Sequence, residues 1–222
     1  APAIPLFARQ FGVSYFAVGA VISAFAFMRF ISALGAGAIV DRLGERIVLT
    51  AGVWIVAVSS ALAGLAQTYE QLLLLRGVGG VGSAMFTVSA LGLLLRSAGE
   101  DQRGRAAGVF QGGFLLGGIS GPALGGLIGA YSVRATFFIY AGMLIIAGIF
   151  AITALRTSTT AQRPAGGTPN KAERGLAPLF VALRNRSFVT AMVINLGNGF
   201  ASFGLRASLV PLFVVEALIK GP

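Results

Sequence analysis

Two arginines stand inside apolar stretches, where a fixed charge is costly. Arg29 lies one turn from Phe25 and one turn from Ala33, and Arg76 closes the run of four leucines at 72–75. A guanidinium removed from water persists when it has a partner or a wet cavity. Reaching to the headgroups from the depth of Arg29 is hard. That side chain is therefore expected to face a cavity, where it binds an anionic substrate group or pairs with a carboxylate from another segment. Arg206 is similar in kind. Arg76 is shallower, and an arginine there also reaches headgroups from a helix end. The amides Gln111, Asn195 and Asn198, with Phe114 beside the first, offer a few oriented hydrogen bonds in apolar surroundings. Such amides either contact a neutral or amphipathic ligand or bond one helix to the next.

Other chemistries are excluded by composition. With no Cys and no His among 222 residues, there is no disulfide framework and no Cys/His metal site. No cofactor is implied, and an enzyme embedded in a membrane would want clustered His or acidic residues within its spans. No Asp or Glu falls in the middle of an apolar span, since Glu70 and Glu216 lie near span ends. The run Gly77-Val78-Gly79-Gly80-Val81-Gly82 fits the GxGxxG pattern of a dinucleotide fold, with Glu100 and Asp101 about twenty residues on. The residues after it, 83–95, stay apolar, so the βαβ context that a nucleotide site requires is missing.

The elements that position these residues are membrane spans. The chain is 56% hydrophobic and 11% charged, with a mean hydropathy of +0.85, and lacks the charged surface a soluble core needs. Apolar spans are expected at 15–40, 47–67, 70–95, 105–130, 134–155 and 188–216, each near the ~20 residues that cross a bilayer. Residues 1–8 read as the end of a preceding span. The net charge of +10 sits in the connections, and unevenly. Arg42 and Arg46 occupy one connection and Arg96, Arg103 and Arg105 a second. Arg156, Arg163, Lys171, Arg174, Arg184 and Arg186 occupy a third, whereas the alternate connections hold little beyond Arg9, Arg134 and Lys220. This is the positive-inside pattern; it puts the basic connections in the cytoplasm and argues against a nucleic-acid partner.

The expected organisation is a bundle over residues 1–156, a polar cytoplasmic linker over 157–187 with a short surface helix near 176–183, and the first helix of a second bundle over 188–222. A weak repeat, Ile4-Pro5-Leu6-Phe7 against Val210-Pro211-Leu212-Phe213, fits two related halves. In the fifth span glycines recur at 113, 117, 121, 125 and 129, which strips one ridge of the helix for close or sliding contact. Pro122 removes the hydrogen bond to the Gly118 carbonyl and permits a bend.

Three patterns in order resemble the major facilitator superfamily of secondary transporters. Gly37-Ala38-Ile39-Val40-Asp41-Arg42-Leu43-Gly44-Glu45-Arg46 is similar to its loop motif G-x-x-x-D-R-x-G-R-R, with Glu45 where a basic residue is usual. Arg76-x-x-x-Gly80-x-Gly82 is similar to its R-x-x-x-G-x-G motif. Gly117-x-x-x-Gly121-Pro122-x-x-Gly125-Gly126 is similar to the motif of its antiporter branch. The resemblance implies an all-α polytopic bundle made of one six-helix half plus the start of the other. It also implies that the Asp41 loop latches against the other half, that Arg76 works beside proton coupling, and that the fifth helix favours drug-type efflux. The plainer alternatives are a turn with topology charges and ordinary small-residue packing. A carboxylate at the end of the second span opposes the helix dipole and should need a partner, for which Arg42, Arg46 or Arg96 would serve.

The expected function is thus secondary transport in the cell membrane, with export of small hydrophobic or amphipathic compounds in exchange for protons. Because no span carries a titratable carboxylate at its centre, coupling would need one elsewhere; otherwise the protein is a facilitator. A nutrient importer and an incomplete gene product are further readings. The transporter is expected to be monomeric.

Overall fold

The structure, a computed structural model, describes residues 3–156 and 184–199. All regular elements among them are helical: α1 (Ala3–Arg9), α2 (Tyr15–Leu43), α3 (Glu45–Gly64), α4 (Tyr69–Ser97), a short 3-10 turn (Glu100–Gln102), α5 (Arg103–Tyr131), α6 (Val133–Arg156) and α7 (Arg186–Gly199). Five of these, α2 to α6, are long and apolar enough to cross a membrane. They start and stop within a few residues of the expected spans, because hydropathy and turn chemistry mark the same positions.

Three of the helix starts are capped by hydroxyls. Ser14 Oγ accepts from the Ala17 amide at 3.3 Å, Thr68 Oγ1 from Gln71 at 3.3 Å, and Ser132 Oγ from Ala135 at 3.3 Å. Each satisfies an amide that the first turn of a helix leaves without a partner. These caps begin α2, α4 and α6, so they share one rim of the bundle. On the opposite rim, α2 and α3 are joined by Gly44 alone. It has φ +82° and ψ 153°, a conformation essentially reserved for glycine, and its amide donates to the Val40 carbonyl at 2.7 Å.

The chain divides into two compact units, Ala1–Thr168 and Pro169–Pro222. In the first, α4 packs along both α2 and α3, and α3 also packs along α6. A cluster at the hydroxyl-capped rim joins Phe7 and Ala8 of α1 to Val18, Val21, Ala63, Leu72 and Phe137. Phe7 meets Phe11 edge-on at 5.4 Å and Phe137 at 5.3 Å between ring centroids. On the α3–α6 seam, a methyl group at Gly148 would lie 3.5 Å from Trp54 Nε1. In the second unit, α7 begins at Arg186, two residues before the expected start of that span. The surface helix expected near 176–183, the repeat at 210–213, Arg206 and Glu216 lie outside the described residues.

Candidate functional site

The glycines that resembled a nucleotide fingerprint lie inside one uninterrupted helix, α4, and their task is packing. Gly80 lets α4 down onto the backbone of α2. A methyl group there would strike the Phe25 carbonyl oxygen, and would lie 3.0 Å from the Arg29 amide nitrogen and 3.2 Å from Met28 Cβ. Gly82 does the same against α3, where a methyl group would sit 2.7 Å from the Gly52 carbonyl oxygen. Close approach of this kind is how small residues hold membrane helices together without a hydrophobic driving force.

Arg29 and Arg76, both half-buried, stand on the α2–α4 seam. One turn before Gly80, Arg76 lays its guanidinium on the Phe25 ring, with Cζ 4.4 Å from the centroid. Its Nε is buried and has no hydrogen-bond partner. One turn after Phe25, Arg29 donates from Nη2 to Thr87 Oγ1 at 3.2 Å, and the Thr87 hydroxyl donates to the Ser83 carbonyl at 2.8 Å. Because Thr87 spends its proton on Ser83, only its lone pairs face Arg29. Tyr140 of α6, itself 46% exposed, lies within electrostatic reach of both arginines.

Magnitudes explain why such charges persist here. An arginine at a span centre costs about 2.5–3.5 kcal/mol on insertion scales. A cation–π contact offsets about 0.5–2 kcal/mol of this, and a hydrogen bond from a charged donor about 1.5–3 kcal/mol. Local contacts therefore go far towards holding the arginines without neutralising them. Asp41, Glu45, Glu70, Glu100 and Asp101, the acidic residues among those described, all lie at helix ends.

At the basic rim the structure corrects one expectation. Arg96 does not serve Asp41; its Nε lies 2.9 Å from Glu45 Oε1. The Glu45 side chain is 1% exposed, and the contact is an ion pair rather than an aligned hydrogen bond. Glu45 is the first residue of α3 and Arg96 is in the last turn of α4, so each also complements its own helix dipole. Asp41 and Arg42 are exposed, Gly37 and Arg46 are half-buried, and none of these makes an ion pair among the described residues.

The fifth helix runs unbroken through Pro122. Methyl groups built at Gly113, Gly117, Gly118, Gly121 and Gly126 would meet nothing within 4 Å, whereas Gly125 and Gly129 face Thr136 of α6 at 4.0 and 3.8 Å. The close contact expected of this ridge is thus absent among the described residues, and α4 makes it instead. Gln111 is exposed and Phe114 is 45% exposed; neither bonds or stacks there. Nothing brings these two onto the arginine seam. Asn195 and Asn198 belong to α7, and their side chains fall outside the described residues. An open depression of about 430 Å3 lined by Gln10, Tyr131, Ser132 and Arg134 lies at the capped rim and holds none of the expected site residues.

Thr87, Tyr140 and the Glu45–Arg96 pair went unread in the sequence. Tyr140 had a signal: Tyr15, Tyr69 and Tyr131 stand at helix ends, and it alone lies two turns inside.

Comparison with known proteins agrees with this architecture. The chain is 29% identical over 215 residues to Multidrug resistance protein 1 of Bacillus subtilis, covering 96% of this chain and 53% of that protein. It is 23% identical to the Quinolone resistance protein NorA of Staphylococcus aureus, covering 100% of this chain and 55% of that protein. The chain thus spans about half the length of the curated relatives it matches. Among solved structures, the peptide transporter POT in complex with sulfate shares the fold at a TM-score of 0.61 and 18% identity, over 96% of this chain and 46% of that one. The family model described as Major Facilitator Superfamily matches residues 1–218. With that match along nearly its whole length, the chain belongs to the major facilitator superfamily.

Proposed function

We propose that the protein exports small hydrophobic or amphipathic compounds across the cell membrane by alternating access, in exchange for protons. The observation that carries this reading is the bare ridge of α5. A span-long helix face without side chains, in a helix that carries Pro122 beside that face, is suited to sliding and bending against another bundle as two bodies rock about a central site. Export rather than import is favoured by the two resistance proteins among its relatives. In this reading the basic rim and the 157–187 linker face the cytoplasm, the Asp41–Arg46 turn steadies one of the two access states, and the working transporter is a monomer. Gln111, Phe114, Asn195 and Asn198 contribute to the substrate path together with Arg29.

The test is accumulation of a fluorescent lipophilic dye in cells that lack their own exporters. Expression of the complete gene product should lower the steady-state dye level, and a protonophore should restore it. Unchanged dye levels across a panel of hydrophobic substrates would overturn export; export that survives the protonophore would overturn the coupling. A facilitator is the second reading, favoured by the location of every described acidic residue at a helix end.

A further inference from the structure

We propose that the α2–α4 seam selects acidic amphiphiles: Arg29 and Arg76 accept the carboxylate of a substrate whose apolar body lies against Phe25. The inference rests on the export reading and narrows its substrate class. A guanidinium over a ring face keeps N–H groups for a carboxylate, which engages two of them through parallel bonds. Arg76 has its Cζ 4.4 Å over the Phe25 ring centroid, and its buried Nε has no acceptor. Arg29 commits Nη2 to Thr87, whose own proton is fixed on Ser83, so the guanidinium is held by one corner. Two cations thus stand in a low-dielectric seam, and the Glu45–Arg96 ion pair lies apart from them at the basic rim. An arriving anion gains charge-assisted bonds without displacing a protein carboxylate there, whereas an arriving cation is repelled. Phe25, only partly buried, adds aromatic surface to orient the ligand.

The experiment is equilibrium binding to the complete gene product in phosphatidylcholine nanodiscs, using dansyl-leucine and dansyl-leucine methyl ester as probes. They differ in one carboxylate charge, so the ratio of their affinities is the readout. The wild type should favour the acid by about tenfold or more. Arg29→Gln and Arg76→Gln should each bring the ratio close to one, Thr87→Val should reduce it, and Arg76→Lys should retain part of it. Equal affinity for both probes in the wild type overturns the proposal without any variant having to fold. So does a ratio that survives both glutamine substitutions, because the arginines would then serve a carboxylate of the polypeptide itself. Binding is read apart from transport, so a wild-type preference without export would sink the export reading alone. Export of the ester with no preference would sink this proposal alone.

Discussion

Replacing Gly82 with alanine puts a methyl group 2.7 Å from the Gly52 carbonyl oxygen and 2.8 Å from both Cβ and Cγ2 of Ile55. Carbon atoms at their best separation lie about 3.5–4.0 Å apart, so α3 and α4 must part by roughly 0.7–1 Å along their crossing. Overpacking of this degree costs about 1–3 kcal/mol, against which the better helix propensity of alanine offsets about 1 kcal/mol. The expected net loss is about 0–2 kcal/mol, which leaves the variant about 1–3 kcal/mol below a control that gains the propensity alone. Gly117→Ala is the matched control: the substitution is the same, but the new methyl group meets nothing within 4 Å. Its stability should equal or slightly exceed that of the wild type. Reversible unfolding in detergent micelles, followed by circular dichroism, measures both. If Gly82→Ala proves as stable as Gly117→Ala, the assignment of close packing to α4 rather than α5 is wrong. The same pair separates folding from transport, since Gly117→Ala should be folded yet slow in dye export.

Three further outcomes are expected. Gly44 sits at φ +82° and ψ 153°, so alanine and asparagine there should each lower stability by about 1–3 kcal/mol in a thermal-shift assay; rescue by asparagine would mean that the turn has relaxed into the ordinary left-handed region. Arg96→Ala leaves the Glu45 carboxylate buried without its cation and should cost about 1–3 kcal/mol, below the 3–5 kcal/mol of a fully buried pair because Arg96 is 37% exposed. Exchanging the two charges should recover only part of that loss, since each would then oppose its helix dipole. The chain has no native cysteine, so single cysteines at exposed Gln67 and Gln102 can be labelled with an impermeant maleimide, and they should react from opposite faces of the membrane.

The span boundaries were legible because two independent signals coincide at each end. Apolar runs stop where Ser14, Thr68, Ser132 or Gly44 can take over the hydrogen bonding, and the helices of the structure begin and end there. Arg29 and Arg76 were legible as anomalies because an isolated charge in an apolar run has few explanations. Their surroundings were not. Thr87 lies 58 residues from Arg29, and no local periodicity ties the two together. The division of labour among glycines was likewise hidden, since the regular four-residue steps of 113, 117 and 121 in α5 point to a packing ridge, whereas 79, 80 and 82 in α4 stand one and two residues apart. Spacing says that a ridge is bare, and only the fold says which neighbour fills it. The Glu45–Arg96 pair was missed because the charge in the loop motif was weighed against Asp41 alone, whereas burial selects Glu45.

Trp54 is the sole indole in the chain, and it stands on α3 against the Gly148 surface of α6. The protein therefore carries its own lamp in the joint between α3 and α6. If the bundle pivots as one solid piece, the emission colour of that lamp stays constant while cargo is bound and released. A spectral shift on adding cargo would mean that the joint itself gives way, and that the movement is an internal shear.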